Sequence, residues 1–149
     1  MAKGPPKLIA LDHDDFHAEY VGHTKDGRQF FLTIPFVSAT GSDPGCEFIA
    51  LYVFDKSGNL ETATIDNLGP RESMNEESRV ARRDEMLRSL GEVKYKRIKI
   101  VPFKLERFGV EFGFIPQPPE EDGDDWCVIV EPGNVMCFWP PWSSGEYDT

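Results

Sequence analysis

No lysine or arginine stands anywhere in residues 108–149, although nine carboxylates do. The formal net charge of the whole chain is −10, a field that repels phosphate backbones. Without a concentrated basic patch, nucleic acid is excluded as a partner. The basic residues gather just upstream, where residues 71–107 hold eleven Lys/Arg against seven acids. Such asymmetry arises in one of two ways: charges on solvated surfaces fold back near one another, or two electrostatic faces steer a partner.

Cysteine is equally sparse. Cys46, Cys127 and Cys137 form no CxxC and no metal-ligand spacing, and their odd number suits reduced thiols rather than a secreted disulfide framework. Long apolar runs are also missing. Only "MAKGPPK" precedes the first apolar residues, so neither a signal peptide nor a membrane span is expected, and the reading is cytoplasmic. Missing too are a Gly-rich phosphate loop, a GxSxG elbow, an HExxH pair and any kinase-like set, so no motif here carries a catalytic mechanism.

What is present reads as one domain over residues 1–149, with 1–10 as a flexible N-terminal lead-in and 117–125 as an acidic loop. "FHAEYVGHTKDGRQFFLTIPF" alternates on both sides of a turn and predicts a hairpin, with Phe30, Leu32, Ile34 and Phe36 as one apolar row. A two-residue Asp26-Gly27 turn would bury His17, Glu19 and His23 with that row. A three-residue Lys25-Asp26-Gly27 loop places Phe16, Ala18 and Tyr20 there instead, and this register is the one expected. "CEFIALYVF" and "LETATI" form a second hairpin. The first of these strands is apolar on both faces, with Phe48, Ala50, Tyr52 and Phe54 on one and Ile49, Leu51 and Val53 on the other, so it is predicted to be central and covered on both sides.

One helix is predicted from about Asn75 to Leu90, with Ser73 and Glu76 as a capping box and Gly91 as a left-handed stop. Val80, Met86, Leu87 and Leu90 make its apolar stripe, yet Arg79 and Arg83 project within the same arc. Those two guanidiniums must snorkel past a sheet edge, meet a carboxylate or meet an anionic ligand. "YKRIKIVPF" and "VEFGFIP" follow as strands, with Gly113 allowing a bulge or close backbone approach. In the last hairpin a turn on Pro132-Gly133 would set Cys127 against Phe138, Cys137 against Val128 and Trp126 against Trp139, with the two thiols facing opposite ways. The fold class expected is α+β: a mostly antiparallel, curved or partly closed meander sheet of about seven or eight strands with one amphipathic helix.

Two residue groups are candidates for function. All three histidines lie in "LDHDDFHAEYVGH". On a strand His17 and His23 would stand about 20 Å apart, too far to share an ion. No cofactor is therefore expected; if a divalent metal is held, its ligands are His13, Asp15, His17 and Glu19. The tail "CFWPPWSSGEYDT" sets Trp139, Trp142 and Tyr147 beside Glu146 and Asp148, and aromatic faces next to carboxylates suit cationic groups. Those aromatics could equally fold back to cover a sheet edge. The functional expectation is a non-catalytic acidic binding or inhibitory module, of an immunity or antitoxin-like kind, that engages a basic protein or cationic ligand. The alternative is a small-molecule-binding protein or metal-dependent enzyme with its site in the curved sheet.

Overall fold

The structure is a computed structural model that describes residues 4–133 and 135–149. Its first half contains β1 (Ile9–Leu11), β2 (Tyr20–Thr24), β3 (Gln29–Thr33), β4 (Phe36–Val37), β5 (Cys46–Phe54) and β6 (Leu60–Gly69). A helix α1 (Glu76–Ser89) follows. The second half contains β7 (Val93–Tyr95), β8 (Ile98–Ile100), β9 (Phe103–Arg107), β10 (Val110–Gln117), β11 (Cys127–Glu131) and β12 (Cys137–Phe138).

The α+β class and the antiparallel pairing hold, but the strand count does not: among the described residues twelve strands are distributed over three sheets, and none of these is closed. The extra strands come from interruptions in runs that read as continuous. Ile34-Pro35 separates β3 from β4, and Pro102 separates β8 from β9, because proline has no N–H to give to a ladder. Strands β9, β10, β11 and β12 form a meander in chain order. In the largest sheet β5 sits between β6 and β3, and β2 separates β3 from β7.

Side-chain parity divides the interior in two. Ile49, Leu51 and Val53 of β5 join Phe30, Leu32, Met86 and Leu90 under α1. Ala50, Tyr52 and Phe54 turn the other way, toward Phe114, Val128, Val130 and Phe138 of the second sheet and toward Ile9, Leu11, Ile98 and Ile100 of the small β1–β8 pair. The molecule is thus layered as helix, sheet, sheet, with β5 covered on both faces as its composition requires. Gln29 is buried, and its side chain fastens β8 to the largest sheet: its amide donates to the Lys99 carbonyl at 2.9 Å and its Oε1 accepts from the Lys99 N–H at 2.6 Å. Both ends of the amide are satisfied, as a buried polar group demands.

The first hairpin takes the three-residue register, with Tyr20 facing Leu32 and Val21 facing Phe31. The strand is shorter than expected, however. Residues 12–19 form a loop in which Asp14 Oδ1 accepts from the N–H groups of Phe16 at 2.8 Å and Ala18 at 3.0 Å. These bonds pull the backbone out of the ladder. Phe16 is consequently 68% exposed, and Ala18 is buried in the core with Phe31 rather than beside Phe30 and Leu32. Near the start of the chain, Ile9 and Ala10 pair with Ile100 and Lys99 of β8.

The helix cap is Asn75, whose side chain accepts from the Ser78 N–H at 3.0 Å. Ser73 lies one element earlier, in a single 3-10 turn, so the predicted capping box does not form. Gly91 is the left-handed stop, with φ of 76°. Gly113 is the close approach: a Cβ built there would lie 2.1 Å from the Phe103 carbonyl oxygen.

Candidate binding surface around Trp139

In the last hairpin Val128 faces Phe138 and Ile129 faces Cys137. This is one residue away from the expected register, because the turn centres on Gly133 rather than between Pro132 and Gly133. The shift reverses the faces on one strand. Val128, Val130, Met136 and Phe138 point inward and are buried. Cys127, Ile129 and Cys137 share the outer face, so the thiols are neighbours rather than opposed, and Trp126 is not the cross-strand partner of Trp139. Both thiols are free. Burial, and after it the adjoining Cys127 thiol, push Cys137 up to about 11.

Trp139 emerges from this outer face 45% exposed and forms a wall between two clefts. On one side a cleft of about 580 Å³ is lined by Pro118, Pro119, Glu120, Asp124, Asp125 and Ile129. On the other a cleft of about 140 Å³ is lined by Cys137, Pro140, Pro141, Glu146, Tyr147 and Asp148. Five carboxylates thereby flank one indole. The acidic loop between β10 and β11 and the aromatic tail are both legible as segments; only the fold makes them adjacent, through the β10–β11 pairing of Gln117 with Cys127 and the β11–β12 pairing of Ile129 with Cys137.

The other tail residues are tied down. The Trp142 carbonyl accepts from the Ala10 N–H at 2.9 Å, and its side chain packs on the core between the sheets. Arg97 donates to the carbonyls of Ser143 and Ser144 at 3.0 and 3.1 Å and pairs with Asp12. Asp148 and Cys137 exchange backbone hydrogen bonds at 2.8 and 2.9 Å. Tyr147 packs 6.1 Å from the Phe138 ring and donates its hydroxyl to Asp14. Of the tail candidates, the structure brings Trp139, Glu146, Tyr147 and Asp148 around one cleft and turns Trp142 inward.

The N-terminal candidates separate. His13 stacks on Tyr95 at 5.6 Å, and Asp15 is exposed. His17 lies against Phe16 and Tyr147, at 3.9 and 6.2 Å between ring centroids. His17 and Glu19 line a different cleft, beside α1. His23 Nε2 meets the Arg97 carbonyl at 2.7 Å. Among the described residues, no three His, Cys, Asp or Glu side chains are grouped as metal ligands would be. No helix among them is long and apolar enough to cross a membrane.

Comparison of the chain with protein-family models, curated proteins and solved structures returns no match.

Proposed function

We propose that the chain is a non-catalytic binding module whose acidic C-terminal third engages a basic partner, with Trp139 as the anchor. The observation that carries this reading is the exposure of Trp139 between Glu120, Asp124 and Asp125 on one side and Glu146 and Asp148 on the other. An indole face attracts guanidinium and ammonium groups, and a large aromatic ringed by complementary charge has the composition of an interface hot spot. The carboxylates supply long-range attraction that no lysine or arginine in residues 108–149 opposes. The same physics suits an inhibitory role of the immunity or antitoxin kind, in which an acidic surface occludes a basic one.

The test is titration of the full chain with an oligo-arginine peptide and with an oligo-glutamate peptide of equal length. The arginine peptide should bind in a salt-sensitive manner, and Trp139→Ala should weaken it by about tenfold or more. Equal binding of both peptides, or an unchanged affinity in Trp139→Ala, overturns the reading.

A further inference from the structure

A third cleft, of about 370 Å³, opens between α1, the 12–19 loop and the segments that carry Ile34, Phe36, Val130 and Val135. Part of its lining is apolar, through Leu32, Ile34, Phe36, Val130 and Val135, and two of its residues are large hydrophobics left in solvent, Phe16 at 68% and Ile34 at 51% exposure. Three guanidiniums, those of Arg71, Arg79 and Arg83, line the same space. That is an unusual gathering in a chain of net charge −10.

Each guanidinium is tethered and none is saturated. Arg79 pairs through Nε and one terminal nitrogen with Glu76, and Arg83 pairs in the same way with Asp84. Arg71 reaches Glu47 with one terminal nitrogen at 3.1 Å. A guanidinium has five N–H donors, so every one of the three keeps donors beyond its carboxylate. Two also stand over aromatic rings, Arg83 at 5.7 Å from the Tyr20 centroid and Arg71 at 5.5 Å from that of Phe36. The tethers hold the forks in place before anything binds, which lowers the entropy lost on binding. Arg79 and Arg83, one helical turn apart on the same face, repel each other, and an anion placed between them relieves that repulsion.

Charge sets the ligand's size and valence. Against the three guanidiniums stand Glu19 and Glu47 in the lining and Glu76 and Asp84 paired to Arg79 and Arg83. These four acids outnumber the three guanidiniums, so no net positive field remains to hold a multiply charged phosphate; what the cleft offers is the unpaired N–H donors of the guanidinium edges, which suit one planar monoanion. The apolar remainder, Leu32, Ile34, Val130 and Val135 with the Phe16 ring, needs a hydrophobic body. We infer that this cleft is a binding site for an amphipathic carboxylate, with its head group on Arg79 and Arg83 and its apolar body along Ile34 and Phe16. The site is separate from the Trp139 surface and stands or falls without it.

Calorimetric titration of the full chain with naphthoate, and with naphthamide as its uncharged counterpart, decides the matter. Naphthoate should bind one-to-one and saturably, the amide about tenfold or more weaker, since charge-assisted hydrogen bonds would be lost. Arg79→Gln and Arg83→Gln should each weaken naphthoate to a similar degree, whereas Arg88→Gln, exposed on the same helix outside the cleft, should leave it unchanged. Ile34→Asp, at a position 51% exposed, should also abolish tight binding. Inorganic phosphate should fail to displace naphthoate. The inference is overturned if no saturable binding appears, if the amide binds as tightly as the acid, if Ile34→Asp has no effect, or if phosphate competes.

Discussion

The Tyr147 hydroxyl donates to Asp14 Oδ2 at 2.5 Å and accepts from the His17 N–H at 3.1 Å. Asp14 in turn organises the 12–19 loop through the N–H groups of Phe16 and Ala18. One tail tyrosine therefore holds the loop that positions Phe16 and His17 in the arginine-lined cleft, and it also borders the smaller cleft beside Trp139. The two candidate sites share this joint.

Tyr147→Phe removes both bonds and should lower stability by about 1 kcal/mol, measured by chemical denaturation. The pH dependence follows from the two pKa shifts. Burial, and then the bond to Asp14, raise Tyr147 to about 12 from 10.0, so its contribution is complete below pH 10 and is lost as pH rises through that interval. Burial alone would raise Asp14, but the hydrogen bonds from Tyr147, Phe16 and Ala18 outweigh it and hold the carboxyl below 3.8. Its contribution is present above that ordinary value and is lost as pH falls through the depressed one. The variant should show a flatter alkaline limb than the parent; identical limbs would refute the assignment.

Asn75→Ala should cost about 1 kcal/mol, since the side chain satisfies a helix N-terminal donor at Ser78. Ser73→Ala should stay within about 0.5 kcal/mol, because its hydroxyl meets only the exposed Pro70 carbonyl at 3.3 Å. Thermal melts of the two variants should therefore differ, and the reverse order would return the cap to Ser73.

Gly113→Ala should destabilise by about 3 kcal/mol or more. Its φ is 140° and the added carbon would meet the Phe103 carbonyl oxygen at 2.1 Å, so the β9–β10 pairing must open to admit it. Gly123 also has a positive φ, 93°, but faces open space. Its alanine variant should lose only about 1 kcal/mol. Denaturation midpoints compare the two directly.

The register of the last hairpin can be read from thiol chemistry. With Cys137 raised to about 11 by burial first and by Cys127 second, its alkylation should be slow at pH 8 and should accelerate toward that value. In Cys127→Ala the rate profile of Cys137 should move to lower pH while remaining above that of a free thiol. An unmoved profile would mean that the two side chains do not share a face.

Local alternation was enough to determine much of this protein. The run from Cys46 to Phe54 assigns each β5 side chain to one of two covered faces whatever its neighbours are, because successive residues on a strand point oppositely. Lys25-Asp26-Gly27 likewise determines the first hairpin, since only one register keeps polar groups out of the interior. Composition alone marks 117–125 as an acidic loop and residues 108–149 as free of basic side chains.

Tertiary structure decided the rest. The last hairpin has apolar residues on both of its faces, Val128 and Val130 on one and Ile129 with Trp139 on the other, so burial energy does not discriminate between registers and the turn at Gly133 sets the choice. Likewise, nothing local to Asp14 specifies that Tyr147 will reach it, and nothing in α1 specifies which segments will complete the cleft under Arg79 and Arg83. Contacts between residues far apart in the chain depend on how whole layers fit together, and a period of two along a strand says which way a side chain points but not what it meets there.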